Sequence, residues 1–313
     1  LNSKSILVER SQNMYMSHNN IYITYTENIN EYELEREIIG ELIEPKLSEA
    51  DRNLIEKIKK VDNEILSRTE KESKIYQIYQ SYLQIMDSDE REEFQDEVEE
   101  KLKEKLEEYE HFEFTVINRV EVDKDHIDPE ANGKVPGHII NQFSMDEKDS
   151  VFRIATTLNP RWSRFDKGRT ESTNNIYTLN MNLEIMDELE GLAENERIYS
   201  TRFIGERLYM VTFRRVDPFF VIDLSDPNDI VKLGKLKIPG FSRYLHPYDE
   251  NTIIGIGRDA TETGRTQGLK ISLFDVSDVT DPEEVANYVT GSRYASSSAL
   301  YEHKAFLFSR EKN

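Results

Sequence analysis

Cysteine is absent from the 313-residue sequence, which excludes a disulfide framework and thiol chemistry. The sequence also lacks an apolar run long enough to cross a bilayer, so no transmembrane segment is predicted within this stretch. It contains no phosphate-binding loop of the G-x-x-x-x-G-K-[ST] type, no G-x-S-x-G motif, and no H-E-x-x-H spacing among its six histidines. The commonest signatures of nucleotide-binding, serine-hydrolase and zinc-protease sites are therefore missing.

The charge balance is strongly acidic. Asp and Glu number 61 against 40 Lys and Arg, which gives a formal net charge of −21. Proteins that bind nucleic acid use basic stripes to neutralise phosphates, and this sequence has no such stripe. We therefore expect no nucleic-acid partner.

What the sequence does contain is an internal repeat. Residues 219–227 read FFVIDLSDP, and residues 269–278 read LKISLFDVSD. A strand that runs twice into an Asp-x-Ser-Asp turn indicates a repeated unit, and a single unit of this size cannot bury its own hydrophobic face. Repeated units of four short strands stack radially in β-propellers.

Hairpin patterns extend the repeat along the chain. Two β-rich runs separated by turn-forming residues occur in five places: 14–24, 143–154, 202–213, 243–255 and 299–308. The predicted fold is all-β, a β-propeller of four-stranded antiparallel blades, with about four to five blades in this chain. We expect residues 199–239 and 240–290 each to form one blade, with the first strand of each blade nearest the axis.

Residues 31–111 interrupt the strand pattern with helical periodicity. Apolar residues recur at helical spacing, as in Phe94, Val98, Leu102 and Leu106, and the pairs Ser48/Asp51 and Asp87/Glu90 are typical of helix starts. The predicted domains are propeller strands over 1–30, an acidic helical hairpin or small bundle inserted over 31–111, and propeller blades over 112–313, with the propeller truncated at both ends. We expect the insertion to project from one face of the propeller.

Two interpretations of the insertion remain open. Its acidic surface is either a solvated helix surface or an arm that binds a partner. Packing among the helices themselves could also cover the apolar stripes.

Carboxylates recur every third residue after the repeated strands, at Asp223, Asp226 and Asp229 and again at Asp275, Asp278 and Asp281. Oxygen ligands of this kind suit Ca²⁺. The alternative is that the carboxylates cap turns through Asx hydrogen bonds, with Pro227 and Pro282 fixing the turn. No other cofactor is predicted.

Several segments together resemble a known family. They read DPFFVIDLSDP (217–227), GKLKIPGFSRYLHP (234–247), GIG (255–257) and ISLFDVSD (271–278). They are similar to archaeal and bacterial secreted proteins with a C-terminal β-propeller domain distantly related to WD-type repeats. The resemblance implies a propeller, further blades outside this stretch, and a secreted or cell-surface location. It implies no activity, and the acidic insertion departs from it.

Two classes of function remain. The first is a non-catalytic extracellular interaction module that binds a protein or surface partner. The second is a hydrolase or lyase with its site at the mouth of the central channel. Propellers place residues of first strands and loops at that mouth, so the candidate ligand-binding residues are Arg202, Arg243, Tyr244 and His246. His246 could equally be a corner residue whose hydrogen bonds are satisfied within the fold.

Overall fold

The structure, a computed structural model, describes residues 11–123, 126–161, 165, 170–213, 217–261, 263 and 265–309. The chain forms two compact units. One contains the described residues up to Glu27 and from Glu113 onwards, and the other is Asn28–Phe112. All strands belong to the first unit and helices α1–α4 to the second.

The first unit consists of four sheets, each with four antiparallel strands in simple up-and-down order. The first sheet contains β1 (Asn13–Met16), β2 (Asn20–Asn28), β3 (Glu113–Asp123) and β4 (His126–Pro136), and the second contains β5 (Met145–Lys148), β6 (Val151–Leu158), β7 (Thr173–Leu179) and β8 (Ile185–Leu192). The third contains β9 (Arg197–Ile204), β10 (Arg207–Phe213), β11 (Asp217–Asp223) and β12 (Val231–Ile238), and the fourth contains β13 (Phe241–Pro247), β14 (Thr252–Ala260), β15 (Thr266–Asp275) and β16 (Glu283–Val289).

Inner strands of these sheets are buried on both faces. Strand β11 contains the apolar run Phe219, Phe220, Val221 and Ile222, and all four of these residues are buried. Strand β12, at the outer edge of the same sheet, alternates lysines with apolar residues, and β16 is mostly exposed. This gradient is expected when sheets are covered by neighbours on both sides and only their outer edges meet solvent, where charges discourage edge pairing.

Aromatic stacking joins neighbouring sheets. Phe219 of β11 stacks on Phe274 of β15 with ring centroids 4.7 Å apart. Tyr22 of β2 stacks on Phe152 of β6 at 4.2 Å. In each case the two residues occupy equivalent strands of adjacent sheets, as radial stacking of repeated blades requires.

First strands of successive sheets lie side by side. Tyr15 Oη accepts a hydrogen bond from the backbone N–H of Glu147 at 3.1 Å, which joins β1 to β5. Thr201 Oγ1 donates to the carbonyl of Phe143 at 3.0 Å, and Ser200 Oγ donates to the carbonyl of Ser242 at 2.7 Å. These contacts place the first strands around a common centre. The predicted all-β propeller of four-stranded antiparallel blades is confirmed, with four such blades in the described residues.

The hairpin predicted at residues 299–308 is wrong. This segment contains two short 3₁₀ helices, Ser298–Leu300 and His303–Ala305, and no strand within its described residues. Side chains of Ser297 and Glu302 accept hydrogen bonds from the backbone N–H groups two residues ahead, at 3.2 Å each, so they cap turns. Ala299 and Leu300 are buried against Tyr244 and Ile256, and this packing fixes the segment without a strand ladder.

The second unit contains four helices: α1 (Glu31–Ile43), α2 (Glu49–Lys60), α3 (Arg68–Ile85) and α4 (Ser88–Glu107). Ser48 and Asp87 are N-caps as predicted, and a third start signal, the capping box of Ser67 and Glu70, begins α3. The predicted stripe on α4 (Phe94, Val98, Leu102 and Leu106) is buried, and α1 packs against α4 and α3. Packing among the helices therefore covers this stripe.

Stacking between blades makes a measurable prediction at Phe219. The side chain is 1 % exposed and contacts the rings of Tyr209 and Phe274. Replacing a buried Phe by Ala removes transfer free energy and leaves a cavity, so Phe219→Ala should lower the unfolding free energy by about 3–5 kcal/mol. Urea unfolding followed by circular dichroism measures this loss. Leu307, which is 91 % exposed, provides the control, and Leu307→Ala should change stability by less than about 0.5 kcal/mol. Equal stability of the two variants would contradict the packing described above.

The helical unit should be removable. Strands β2 and β3 are neighbours in the first sheet, and the backbone N–H of Ile29 donates to the carbonyl of Phe112 at 2.8 Å, so the two ends of the insertion are close together. A short Gly/Ser linker in place of residues 28–112 should leave a cooperatively folding β unit, because loop length affects stability only weakly. Circular dichroism and denaturant unfolding of this deletion variant test the expectation. Loss of a cooperative transition would show that the helices are needed for the fold.

Candidate functional site

A pocket of about 190 Å³ lies beside the first strands of the sheets. It is bordered by β1, by the turn before β5, by β13 and by the C-terminal 3₁₀ helices. Its lining residues are Asn13, Asn141, Gln142, Phe143, Arg243, Tyr244, Ala299, Leu300, Tyr301 and His303. The pocket therefore combines aromatic rings, side-chain amides and one guanidinium group.

A local irregularity of the backbone accompanies Arg243. Ser242 pairs with Gly257 and Tyr244 with Ile256, so Arg243 is the extra residue of a β-bulge between β13 and β14. Bulges re-aim side chains and are common beside functional sites. A Cβ atom on Gly257 would lie 1.6 Å from the carbonyl oxygen of Phe241, so only glycine permits the close approach of the two strands here.

Aromatic rings surround the Arg243 guanidinium. Its Cζ lies 5.4 Å from the ring centroid of Tyr199, 5.4 Å from that of Tyr301 and 6.0 Å from that of Phe241. Tyr199 itself occupies a bulge, between β9 and β10. Cation–π contacts of this kind hold the plane of the guanidinium while the side chain stays exposed.

The other predicted site residues lie around the same pocket. Arg202 places its Cζ 4.7 Å from the ring centroid of Phe143, and Tyr244 packs against the same ring. The hydroxyl of Tyr244 hydrogen-bonds Nδ1 of His246 at 3.0 Å, and the His246 ring contacts Phe306. The structure thus brings all four predicted residues to one region. Their role in binding a ligand stays a prediction.

Only two of the ten lining residues, Arg243 and Tyr244, were predicted as site residues from the sequence, and the predicted Arg202 and His246 lie outside the lining. Asn13, Asn141 and Gln142 come from the first two sheets, and Tyr301 and His303 from a segment expected to be a hairpin. A usable signal existed for Phe143, because it begins one of the weaker repeat copies and so precedes a first strand. The three amide residues carry no repeat signal, and His303 lies in the 299–308 copy, where the predicted hairpin is wrong.

Within the part of the chain that the structure describes, no carboxylate lines the pocket, so no lining carboxylate there pairs with His303. His303 places Nε2 3.4 Å from the Gln142 amide nitrogen. Glu302 approaches Nδ1 of His303 only to 3.8 Å, and it lies outside the lining. The groups present can donate hydrogen bonds and stack on a ligand, which is the chemistry of recognition.

Four of the six repeated carboxylates accept hydrogen bonds that cap turns, namely those of Asp223, Asp226, Asp275 and Asp278. Asp223 accepts from the N–H of Ser225 at 3.0 Å, and Asp275 accepts from that of Ser277 at 2.8 Å. The backbone hydrogen bond from Ser277 lowers the pKa of the Asp275 carboxyl, as a bonded carboxylate should show. Asp226 and Asp278 make equivalent bonds. Across the described ranges, no group of three or more His, Asp or Glu side chains is placed to hold a metal ion.

A separate polar cluster joins three loops of the propeller unit. Nδ1 of His138 lies 3.2 Å from Oε1 of Glu113, and Asn159 donates to the same carboxylate from its backbone N–H at 3.0 Å and from its side chain at 2.9 Å. Burial alone would raise the pKa of the Glu113 carboxyl. The hydrogen bond and charge of His138, with the bonds from Asn159, outweigh burial and hold that pKa below its ordinary value. The arrangement ties the start of β3 to the segments after β4 and β6.

Among the described residues, no helix is both long and apolar enough to cross a membrane.

The Beta propeller domain family matches residues 1–313, so the chain belongs to this family. The chain is 38 % identical over 309 residues to an uncharacterized protein of Methanocaldococcus jannaschii, covering 98 % of this chain and 47 % of that protein. It is also 38 % identical over 303 residues to an uncharacterized protein of Archaeoglobus fulgidus, covering 94 % of this chain and 44 % of that protein. The chain therefore spans about half the length of the curated relatives it matches.

The Glu113 cluster predicts a pH dependence of stability. A carboxyl whose pKa is lowered by folding stabilises the protein above its unfolded pKa of about 4.3, and this contribution disappears as the pH falls through the folded pKa. Glu113→Gln should therefore lower the unfolding free energy by about 1–3 kcal/mol near neutral pH, and the difference between variant and parent should shrink as the pH falls through the lowered folded pKa. Chemical denaturation across this pH range measures both effects. The exposed Glu283→Gln serves as the matched control, and a pH-independent difference for Glu113→Gln would rule out the linkage.

Proposed function

We propose that this protein is a non-catalytic interaction module that works in a secreted or cell-surface setting, with the pocket beside the first strands as its contact with a protein partner. The chemistry of the pocket lining carries this proposal. Arg243, Tyr244, Tyr301 and Phe143 are of the residue types enriched at energetically important positions of protein interfaces. In such a contact the guanidinium, the side-chain amides and the aromatic rings of the lining can each bind part of the partner.

Exposure of the pocket aromatics supports a partner that is larger than a small metabolite. Tyr301 lines the pocket and is 72 % exposed. An aromatic ring so exposed gains most of its stabilisation when a second surface covers it. A partner that contacts both Tyr301 and the Arg243 guanidinium would bury an anchor of the kind that dominates interface energetics.

The helical unit offers a second contact surface, and this surface is acidic, whereas the charged side chain of the pocket lining is the basic Arg243. Residues 28–112 contain 26 acids and 13 bases and so contribute −13 of the net charge of −21. An acidic surface attracts basic partners and accelerates their association, and added salt screens the attraction. The secreted or cell-surface setting rests on the resemblance of the propeller segments to secreted proteins.

The proposal predicts partner binding without turnover. Immobilised protein should retain a discrete protein from the envelope fraction of the source cells, and Arg243→Ala should weaken the affinity by roughly thirtyfold, since central interface anchors contribute about 2 kcal/mol or more. A variant with residues 28–112 replaced by a linker measures how much the helical unit contributes to partner retention. Repeating the measurements at low and high salt distinguishes electrostatic attraction, which salt weakens, from packing contacts. Quantitative mass spectrometry of the retained proteins provides the measurement.

The control is Arg293→Ala, because Arg293 also stacks on a tyrosine but lies outside the pocket. Equal retention by all variants under all conditions would contradict the proposal. Turnover of a peptide or polysaccharide substrate that is lost in His246→Ala, with the fold intact, would replace it with an enzymatic function.

A further inference from the structure

We propose that the pocket binds the carboxylate of an acidic peptide segment, with the Arg243 guanidinium as the group that receives it. This inference rests on the proposed function, because it names the chemistry that the pocket selects on a protein partner. The observation behind it is an arginine without an acidic partner in a strongly acidic chain.

Arg243 forms no ion pair with any carboxylate in the part of the chain that the structure describes, although the sequence has 61 Asp and Glu for 40 Lys and Arg. Some other cations of the unit are paired, as Arg153 is with Asp146 and Lys270 is with Glu284. Arg243 instead lies among the rings of Tyr199, Tyr301 and Phe241. Contacts to aromatic faces leave the in-plane N–H donors of a guanidinium available, and a planar carboxylate accepts two of them at once.

Neighbouring groups supply further donors to the same space. Oδ1 of Asn141 accepts a hydrogen bond from the backbone N–H of Phe143 at 2.9 Å, which leaves the Nδ2 amide as a donor on the pocket lining. Asn13 and Gln142 add amide groups. An ionised carboxylate offers about four acceptor positions and donates none, so it matches a lining with a guanidinium and several amides.

Charge in the rest of the region agrees with an anionic ligand. Arg202 stacks on Phe143, a lining residue, and it too has no carboxylate partner among the residues described. More than half of the net negative charge of the chain belongs to residues 28–112. Arg243 in the lining and Arg202 next to it are thus two cationic groups, and none of the described lining residues is a carboxylate, although Glu302 lies next to the lining residue His303.

Size favours a peptide carboxylate over an acidic polysaccharide. A volume of about 190 Å³ accommodates one Asp or Glu side chain or a chain-terminal carboxylate, whereas a polysaccharide needs a groove several rings long. Peptide recognition through a single captured carboxylate is also an established mode for protein modules.

The test uses the full chain and defined probes. A capped Gly-Glu-Gly peptide, its neutral Gly-Gln-Gly counterpart, galacturonate and inorganic phosphate are titrated into the protein by calorimetry or NMR. The Glu peptide should bind saturably and at least about tenfold more tightly than the Gln peptide, because a desolvated carboxylate–guanidinium pair contributes more than a neutral hydrogen bond. Added salt should lower the affinity for the Glu peptide more than the affinity for the Gln peptide.

Matched variants locate the binding. Arg243→Gln should abolish the preference for the Glu peptide, Arg243→Lys should retain only part of it because the bidentate geometry is lost, and Arg293→Gln should leave it unchanged. Equal binding of the two peptides, no binding of the Glu peptide by the parent protein, or an unchanged preference in Arg243→Gln would overturn the inference. Tighter binding of phosphate or galacturonate than of the Glu peptide would also overturn it. If partner retention persists despite any of these results, the interaction module stands and only the carboxylate assignment fails.

Discussion

Contact between neighbouring blades is the constraint on which the structure depends. A four-stranded sheet with buried residues on both faces, such as the one that contains Phe219–Ile222, gains its stability only when sheets stack on both sides of it. Stacked rings, Phe219 on Phe274 and Tyr22 on Phe152, form the seams between sheets. Because equivalent strands meet at each seam, the stacking also fixes the rotation from one blade to the next and brings the first strands together at the centre.

The pocket is a product of that arrangement. Asn13, Asn141 and Arg243 are far apart in sequence, and each belongs to or directly precedes the first strand of a different sheet. None of them could meet without the intervening seams. The C-terminal segment completes the lining with Tyr301 and His303. The burial of Ala299 and Leu300 holds this segment in place. The pocket beside the first strands and the hydrophobic burial between blades are therefore consequences of one packing scheme.

Sequence patterns predicted the parts of this scheme that are local or repeated. The Asp-x-Ser-Asp turns defined the third and fourth blades to within a few residues, and the caps Ser48 and Asp87 defined two helix starts, because both signals are short-range hydrogen-bond patterns. The prediction for residues 299–308 was wrong because their apolar spacing fits a hairpin. Nothing in their own sequence indicates that Ala299 and Leu300 pack on a neighbouring sheet. Arg243 and Tyr244 could be predicted because the repeat places them on a first strand. Asn13 and His303 line the pocket only because of the tertiary arrangement, which the sequence pattern does not show.

Aromatic rings explain how a cationic pocket persists in a chain of net charge −21. An exposed arginine could pair with a nearby carboxylate, but exposed ion pairs contribute only about 0–1 kcal/mol, so a cation–π environment of similar strength competes with them. The bulge at Arg243 aims its guanidinium at three rings, and Phe143 holds Arg202 in the same way. Neither guanidinium is neutralised by a described carboxylate, and each keeps its in-plane donors. Backbone irregularity and aromatic content thus keep two guanidinium groups, those of Arg202 and Arg243, close to one region of the propeller unit within an acidic protein.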